Sequence, residues 1–214
     1  MTPAVHQPPA SPARSTQPSV RALPFQGDQT QLVAALRKGH PGAAAALHDR
    51  YARRIYGLLY RILGPDTELE DTLHEVFVRA LESLGQLRDP AAFDSWLMGV
   101  AVRTARTLLQ RRGRRSWLRL VPEEELPEVP VAPEDPAHVE TLRVTYRILD
   151  TLPVDDRMAL VLRFAAGMTL TETADACAVS LATIKRRLSR AQRGFQHLAA
   201  NEPVLHAWRE EVGS

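Results

Sequence analysis

The sequence predicts an all-α protein: two small helical domains joined by a proline-rich acidic linker, the second domain carrying a helix-turn-helix. Three observations predict it. Apolar residues recur every three to four positions through two long stretches. Period-two alternation and Asn-Gly hairpin signals are absent throughout. Between the two stretches, Pro122, Pro127, Pro130, Pro133 and Pro136 forbid a continuous helix.

Residues 1–28 hold six prolines among Ser, Thr, Gln and Ala, a composition that buries too little apolar area to offset ordering entropy, and they are expected to form a disordered tail. The first domain spans 29–112. Leu32, Val33 and Leu36 open its first helix, and Pro41-Gly42 ends it. Leu47, Tyr51, Ile55, Leu58, Leu59 and Ile62 form the stripe of the second, broken at Gly64-Pro65-Asp66. Leu69, Leu73, Val76, Phe77, Ala80, Leu81 and Leu84 give the third. After Arg88-Asp89-Pro90, the run Phe93, Trp96, Leu97, Val100, Ala101, Ala105 and Leu108 predicts a fourth, reaching about Arg112.

Residues 113–139 form the linker. The second domain, 140–200, resumes with helices near 140–150 and 154–166, the latter with Pro153 in its first turn and Gly167 at its end. A tail over 201–214 contains a last helix around 204–212.

The 214 residues are 44% apolar, enough for a core, and the net charge of +2 is too small to argue for a polyanionic partner. Charge is instead segregated along the chain. The third helix is acidic, with Asp66, Glu68, Glu70, Asp71, Glu75 and Glu82 against Arg79 alone. From Asp94 to Glu123 no acid occurs, yet Arg103, Arg106, Arg111, Arg112, Arg114, Arg115 and Arg119 do. The next block is acidic again, through Glu123, Glu124, Glu125, Glu128, Glu134, Asp135 and Glu140, and the final domain returns to Lys185, Arg186, Arg187, Arg190 and Arg193. A single run of this kind reads as a solvated face; four opposed runs suit a protein that binds nucleic acid with some surfaces and protein with others.

Cys177 is the only cysteine, so no intramolecular disulfide forms, which fits a reducing cytoplasm. No apolar run approaches the roughly 18 residues of a membrane span, and the polar N-terminus is unlike a signal peptide. The seven histidines show no metal-ligand spacing, no glycine loop suits a phosphate, and no nucleophile elbow occurs. No metal, cofactor or enzymatic activity is expected. Phe93 and Trp96 share an apolar stripe and read as core rather than as base-stacking platforms, and Cys177 beside two alanines reads as packing.

From Leu170 the sequence runs LTETADACAVSLATIKRRLSRAQRGF. Ala174 is small where two helices would cross, Ala178-Val179-Ser180 makes a turn, and Ser180 can cap the next helix. Ile184, Leu188, Ala191 and Phe195 form one stripe. Lys185, Arg186, Ser189, Arg190 and Arg193 stand opposite. As a recognition helix, this would offer Thr183, Lys185 and Arg186 to base edges and Arg190 and Arg193 to phosphates. A helical hairpin with a basic face and no DNA is the other reading of these residues.

Taken together, the two stretches resemble the bacterial RNA polymerase sigma factors of the extracytoplasmic-function (ECF) type. The family's second-domain pattern reads here as Leu152-Pro153, Arg157, Leu162-Arg163-Phe164, Gly167, Glu172-Thr173-Ala174, Ser180, Thr183-Ile184-Lys185 and Arg190-Ala191. Thr173 stands where the family prefers isoleucine. The first domain supplies LEDTLHEVFVRAL, with His74 where glutamine is usual, and FDSWLMGVAVRTARTLLQRR, with Arg103, Thr107 and Gln110 where asparagine, aspartate and arginine are common.

The resemblance implies that Glu70, Asp71, His74 and Glu75 dock on the clamp of core polymerase. It implies that Arg103, Arg106, Arg111 and Arg112 meet minus-ten promoter DNA and assist melting, and that the linker threads toward the polymerase active site. Ser180, Thr183, Lys185, Arg186, Arg187, Arg190 and Arg193 would read the minus-thirty-five element. Core polymerase, promoter DNA and an anti-sigma protein that clamps both domains are the expected partners. The competing readings are a polymerase-independent helix-turn-helix regulator and a helical protein-interaction adaptor.

Overall fold

The computed structural model of the chain describes residues 25–116 and 136–205. Helix α1 (Gln29–Arg37) starts at a capping box: the Asp28 carboxylate accepts from the Gln31 amide at 2.7 Å, and the Gln31 side chain accepts from the Asp28 amide at 2.9 Å. The chain is packed a little before that cap, because Phe25 lies edge-on to His40 and under the Arg50 guanidinium. Helix α2 (Ala43–Leu63) buries Leu47, Tyr51, Ile55, Leu58, Leu59 and Ile62, the expected stripe, and stops at Gly64, whose φ of 85° favours glycine.

Helix α3 (Leu69–Ser83) follows the Gly64-Pro65-Asp66 break and buries Leu69, Leu73, Val76, Phe77 and Ala80. Leu81, expected in that stripe, is instead 41% exposed, and Val78 beside it is 52% exposed. One residue is about 100° of helical rotation, so Leu81 falls beyond the arc that Ala80 closes. Helix α4 (Phe93–Ser116) runs a turn beyond the expected end near Arg112. Its buried residues, Phe93, Leu97, Met98, Val100, Ala101, Val102, Ala105 and Leu109, cover a wider arc than one stripe. The cause is that α4 packs on α2 and α3 on one side and on the second half of the chain on the other.

Helix α5 (Pro136–Thr151) begins earlier than the expected 140, with proline at its first position. Helix α6 (Val154–Leu160) has Pro153 as its N-cap rather than inside its first turn, and continues as one π-helical turn, Val161–Ala165, before Gly167 at φ 71°. Helices α7 (Leu170–Ala176) and α8 (Leu181–Ala199) complete the second lobe, and Leu205 folds back onto Val144 and Ile148 of α5. The proline-rich tail over 1–24, the acidic linker over 117–135 and the last helix from 206 onward lie outside the described residues. All described elements are helical.

The lobes share one apolar core, in which Leu149, Met158, Val161, Leu162 and Ala176 join the first-lobe residues. They also share a helix end. The last three carbonyls of α2, those of Arg61, Ile62 and Leu63, have no partner within that helix, and the second lobe supplies it; the Tyr60 carbonyl already accepts from the Gly64 amide at 2.8 Å. Tyr146 of α5 donates to the Tyr60 and Arg61 carbonyls at 3.1 Å each. Arg157 of α6, 3% exposed, donates to the Ile62 carbonyl at 2.8 Å and to the Leu63 carbonyl at 3.3 Å, and also bonds Asp150. A cation at a helix C-terminus also opposes the negative end of the helix dipole. Gly64 makes room: a Cβ there would sit 2.8 Å from the Tyr146 ring.

Candidate nucleic-acid interface

The α7-turn-α8 unit is assembled from caps and one small-residue contact. Thr169 and Glu172 form a capping box at the start of α7, and the two hydrogen bonds from Thr169 hold the Glu172 carboxyl below the usual carboxylate range. Thr173, in a position of zero exposure, aims its hydroxyl at the Thr169 carbonyl 2.8 Å away, so a polar residue fits an apolar site. The turn passes through Ala178 at φ 55°, a left-handed conformation rare for alanine. Ser180 then caps α8, accepting from the Thr183 amide at 3.2 Å. Ala174, Ile184 and Leu188 pack with Ala159, which fixes the crossing of the two helices.

The burial of Ile184, Leu188 and Ala191 sorts the cations of α8. Lys185, Arg186 and Arg193 are exposed and, among the described residues, have no acidic partner. Arg187 is turned inward, 16% exposed, and donates to Asp155 of α6 at 2.6 Å. Arg190 is 57% exposed but grips Asp156, a carboxylate 1% exposed, with Nε on Oδ2 and Nη2 on Oδ1, the latter at 2.6 Å. Thr183 is half-buried, its hydroxyl 2.9 Å from that of Ser180.

The arginines of α4 divide in the same way. Arg103 and Arg111 are exposed. Arg103 borders a shallow groove of about 390 Å³ between α3 and α4, with Arg79, Glu82, Ser83, Gln86 and Thr104, and partial desolvation lowers its guanidinium from the ordinary arginine value. Arg106 donates to Asp155 at 2.7 Å, so one carboxylate on α6 holds Arg106 of the first lobe and Arg187 of α8 together. Arg112 is forked onto Asp66 and Glu68. On α3, Glu70, Asp71 and His74 are exposed, whereas Glu75 pairs with Arg79, Oε1 to Nε 2.9 Å. Asp71, His74, Val78 and Leu81 share one exposed face at spacings of three and four.

Phe93 has zero exposure and packs edge-to-face with Tyr51 and tilted against the half-buried Trp96, as expected of core aromatics. Burial raises the Cys177 thiol. Among the described residues, no His, Cys, Asp or Glu group could hold a metal, and no helix is long and apolar enough to cross a membrane. Residues that sequence reasoning passed over are Tyr146, Asp155 and Asp156, which with Arg157, there only a match to the family pattern, organise both lobes, and Val78, which lies exposed beside Leu81. The run PVDDR looks like an ordinary acidic first turn, and only its burial distinguishes it.

Between the lobes, α2, α4 and α7 border a cleft of about 710 Å³ whose walls include Leu58, Trp96, Met98 and Met168, with Arg54 and Arg61 facing Glu172 and Asp175.

Residues 47–115 match the Sigma-70 region 2 family, and residues 142–193 match Sigma-70, region 4. The chain is 31% identical over 176 residues to the ECF RNA polymerase sigma-E factor of Escherichia coli K12, covering 78% of this chain and 91% of that protein. It is 28% identical over 189 residues to the RNA polymerase sigma-H factor of Pseudomonas aeruginosa, covering 84% and 97%. Among solved structures, the fold is similar to CnrH in its complex with the cytosolic domain of CnrY, with a TM-score of 0.57, 22% identity, and coverage of 82% of this chain and 99% of that one. It is also similar to the sigma factor RpoE in complex with the anti-sigma factor NepR from Bartonella quintana, with a TM-score of 0.53, 19% identity, and coverage of 72% and 95%.

Proposed function

Because the chain belongs to the ECF sigma factors of RNA polymerase, we propose that it binds core polymerase, directs it to a set of promoters and assists their melting, with no catalysis of its own. The first domain (29–112) binds core and the minus-ten region, the linker (113–139) connects, and the second domain (140–200) binds the minus-thirty-five element. The observation that carries this reading is α8: its apolar stripe is buried while Lys185, Arg186 and Arg193 face solvent without an acidic partner. A solvent-facing cationic row on the second helix of a helix-turn-helix suits the major groove. Ser180 and Thr183 at its start lie nearest the bases, Arg187 acts through its contact with α6, and Arg190 is held by α6 while still 57% exposed.

On the first lobe, among the described side chains, Arg103 and Arg111 are the arginines of α4 free to meet minus-ten DNA, and the groove beside Arg103 suits an unpaired base. Arg106 joins them only when Asp155 releases it. The exposed face of α3 combines carboxylates with Val78 and Leu81, which suits a helical polymerase partner, with Glu70, Asp71 and His74 in contact and Glu75 held by Arg79. An anti-sigma protein seats in the cleft between the lobes. The protein works in the cytoplasm, where polymerase is.

The test mixes the purified chain with core polymerase and asks for co-elution and promoter-dependent transcription. Glu70→Lys combined with Asp71→Lys is expected to abolish co-elution, and Lys185→Ala combined with Arg186→Ala to keep co-elution but lose transcription. A wild-type chain that fails to bind core overturns the reading.

A further inference from the structure

We propose that Asp156 is a positioning residue for Arg190: a buried carboxylate on α6 that fixes the guanidinium so that its remaining edge is presented to DNA. The proposal rests on the reading of α8 as the duplex-contacting helix. Asp156 is 1% exposed, and both of its oxygens accept from Arg190, through Nε and Nη2. That leaves the Nη1 side of the fork without a partner among the described residues, on a side chain that is 57% exposed.

The pair is asymmetric. Asp155 also holds an arginine of α8, but there the arginine is 16% and the acid 29% exposed, so the acid is the less buried partner. In the Asp156 pair the acid is inside and the base is outside, which is the geometry of a buttress. A buried carboxylate is a poor choice for stability alone, since an apolar residue of similar volume serves as well or better. Arg186, Arg190 and Arg193 are spaced i, i+4 and i+7, so the fixed guanidinium falls in the same row as two solvent-facing cations. An arginine already held in its bound orientation loses less freedom when it meets a phosphate or a base edge.

The test uses the full chain with core polymerase, and the probe is a duplex enriched from a library with a randomised centre. Affinity is measured for wild type, Asp156→Asn, Arg190→Ala and the double variant, at a temperature where circular dichroism shows each folded. Asp156→Asn is expected to weaken binding roughly tenfold, Arg190→Ala at least as much, and the double variant no further than Arg190→Ala. Arg190→Lys, which keeps the charge opposite Asp156 but cannot span both oxygens, is expected to bind as weakly as Arg190→Ala and covers the case in which Asp156→Asn does not fold. Wild-type affinity in Asp156→Asn or Arg190→Lys overturns the proposal. So does a further loss when Asp156→Asn is added to Arg190→Ala, because a general disturbance of α8 would do that. If wild type enriches no sequence, the duplex-contacting reading of α8 falls and takes the proposal with it; enrichment by wild type with Asp156→Asn unchanged sinks the positioning role alone.

Discussion

Tyr146 shows what a single side chain contributes to holding the lobes together. Its phenol is pushed up from 10.0 to about 12, first by burial and then by its electrostatic surroundings, with Arg157 and Arg61 acting in the opposite sense. The neutral phenol is the form that donates to the Tyr60 and Arg61 carbonyls. A raised pKa of this kind adds stability that is complete below about pH 10 and lost as the pH rises toward about 12. The stability difference between wild type and Tyr146→Phe, measured by urea unfolding, should therefore be constant up to about pH 10 and close by about pH 12. None of this was legible in the sequence, where Tyr146 is one more aromatic on a helical stripe. Arg157 was visible there only as a match to a family pattern, without its role, because its partners are backbone carbonyls 94 and 95 positions away.

At the scale of elements, much more was readable. The stripes of α2, α4 and α8, the breaks at Pro41-Gly42 and Gly64-Pro65, and the Ser180 cap follow from spacing and turn chemistry, which are local. What escaped depends on neighbours: the wide buried arc of α4 needs two packing partners, and Leu81 is exposed because it lies just outside the buried arc of α3, although Leu84 beyond it is buried. The turn between α7 and α8 is another case, since no local signal marks Ala178 as left-handed. That conformation costs an alanine roughly 1–2 kcal/mol relative to glycine. Ala178→Gly should therefore raise stability by roughly 0.5–1 kcal/mol, part of the gain being offset by glycine's greater unfolded entropy. Thermal unfolding checks it, and DNA binding should be unchanged, since the turn carries none of the cations.

For the whole molecule, the decisive contact is Asp155, which joins Arg106 of the first lobe to Arg187 of α8. Promoter elements named minus-ten and minus-thirty-five lie about 25 base pairs apart, roughly 85 Å along a duplex. If, as proposed, α4 meets the first element and α8 the second, two helices bonded to one carboxylate cannot reach both, so that function requires the lobes to part and Arg106 to be released. Asp155→Asn should shift the free chain toward that parted form, seen as a larger radius of gyration by small-angle scattering, and high salt should do the same to wild type through screening of the pair. An unchanged radius in both would mean that the apolar core, not the carboxylate, holds the lobes. The segregated charges hinted at several surfaces. They gave no sign that two of those surfaces face each other, because a proline-rich linker implies independence and the pairing is tertiary.

The shared end of α2 carries a consequence for how the chain comes apart. Its last three carbonyls are satisfied by residues that lie beyond the linker in sequence, so neither lobe is complete as a unit of secondary structure. Parting the lobes leaves those carbonyls to water and frays the last turn before the rest of the bundle is disturbed. The helix terminus thus acts as a cooperative joint, coupling the melting of each half to that of the other.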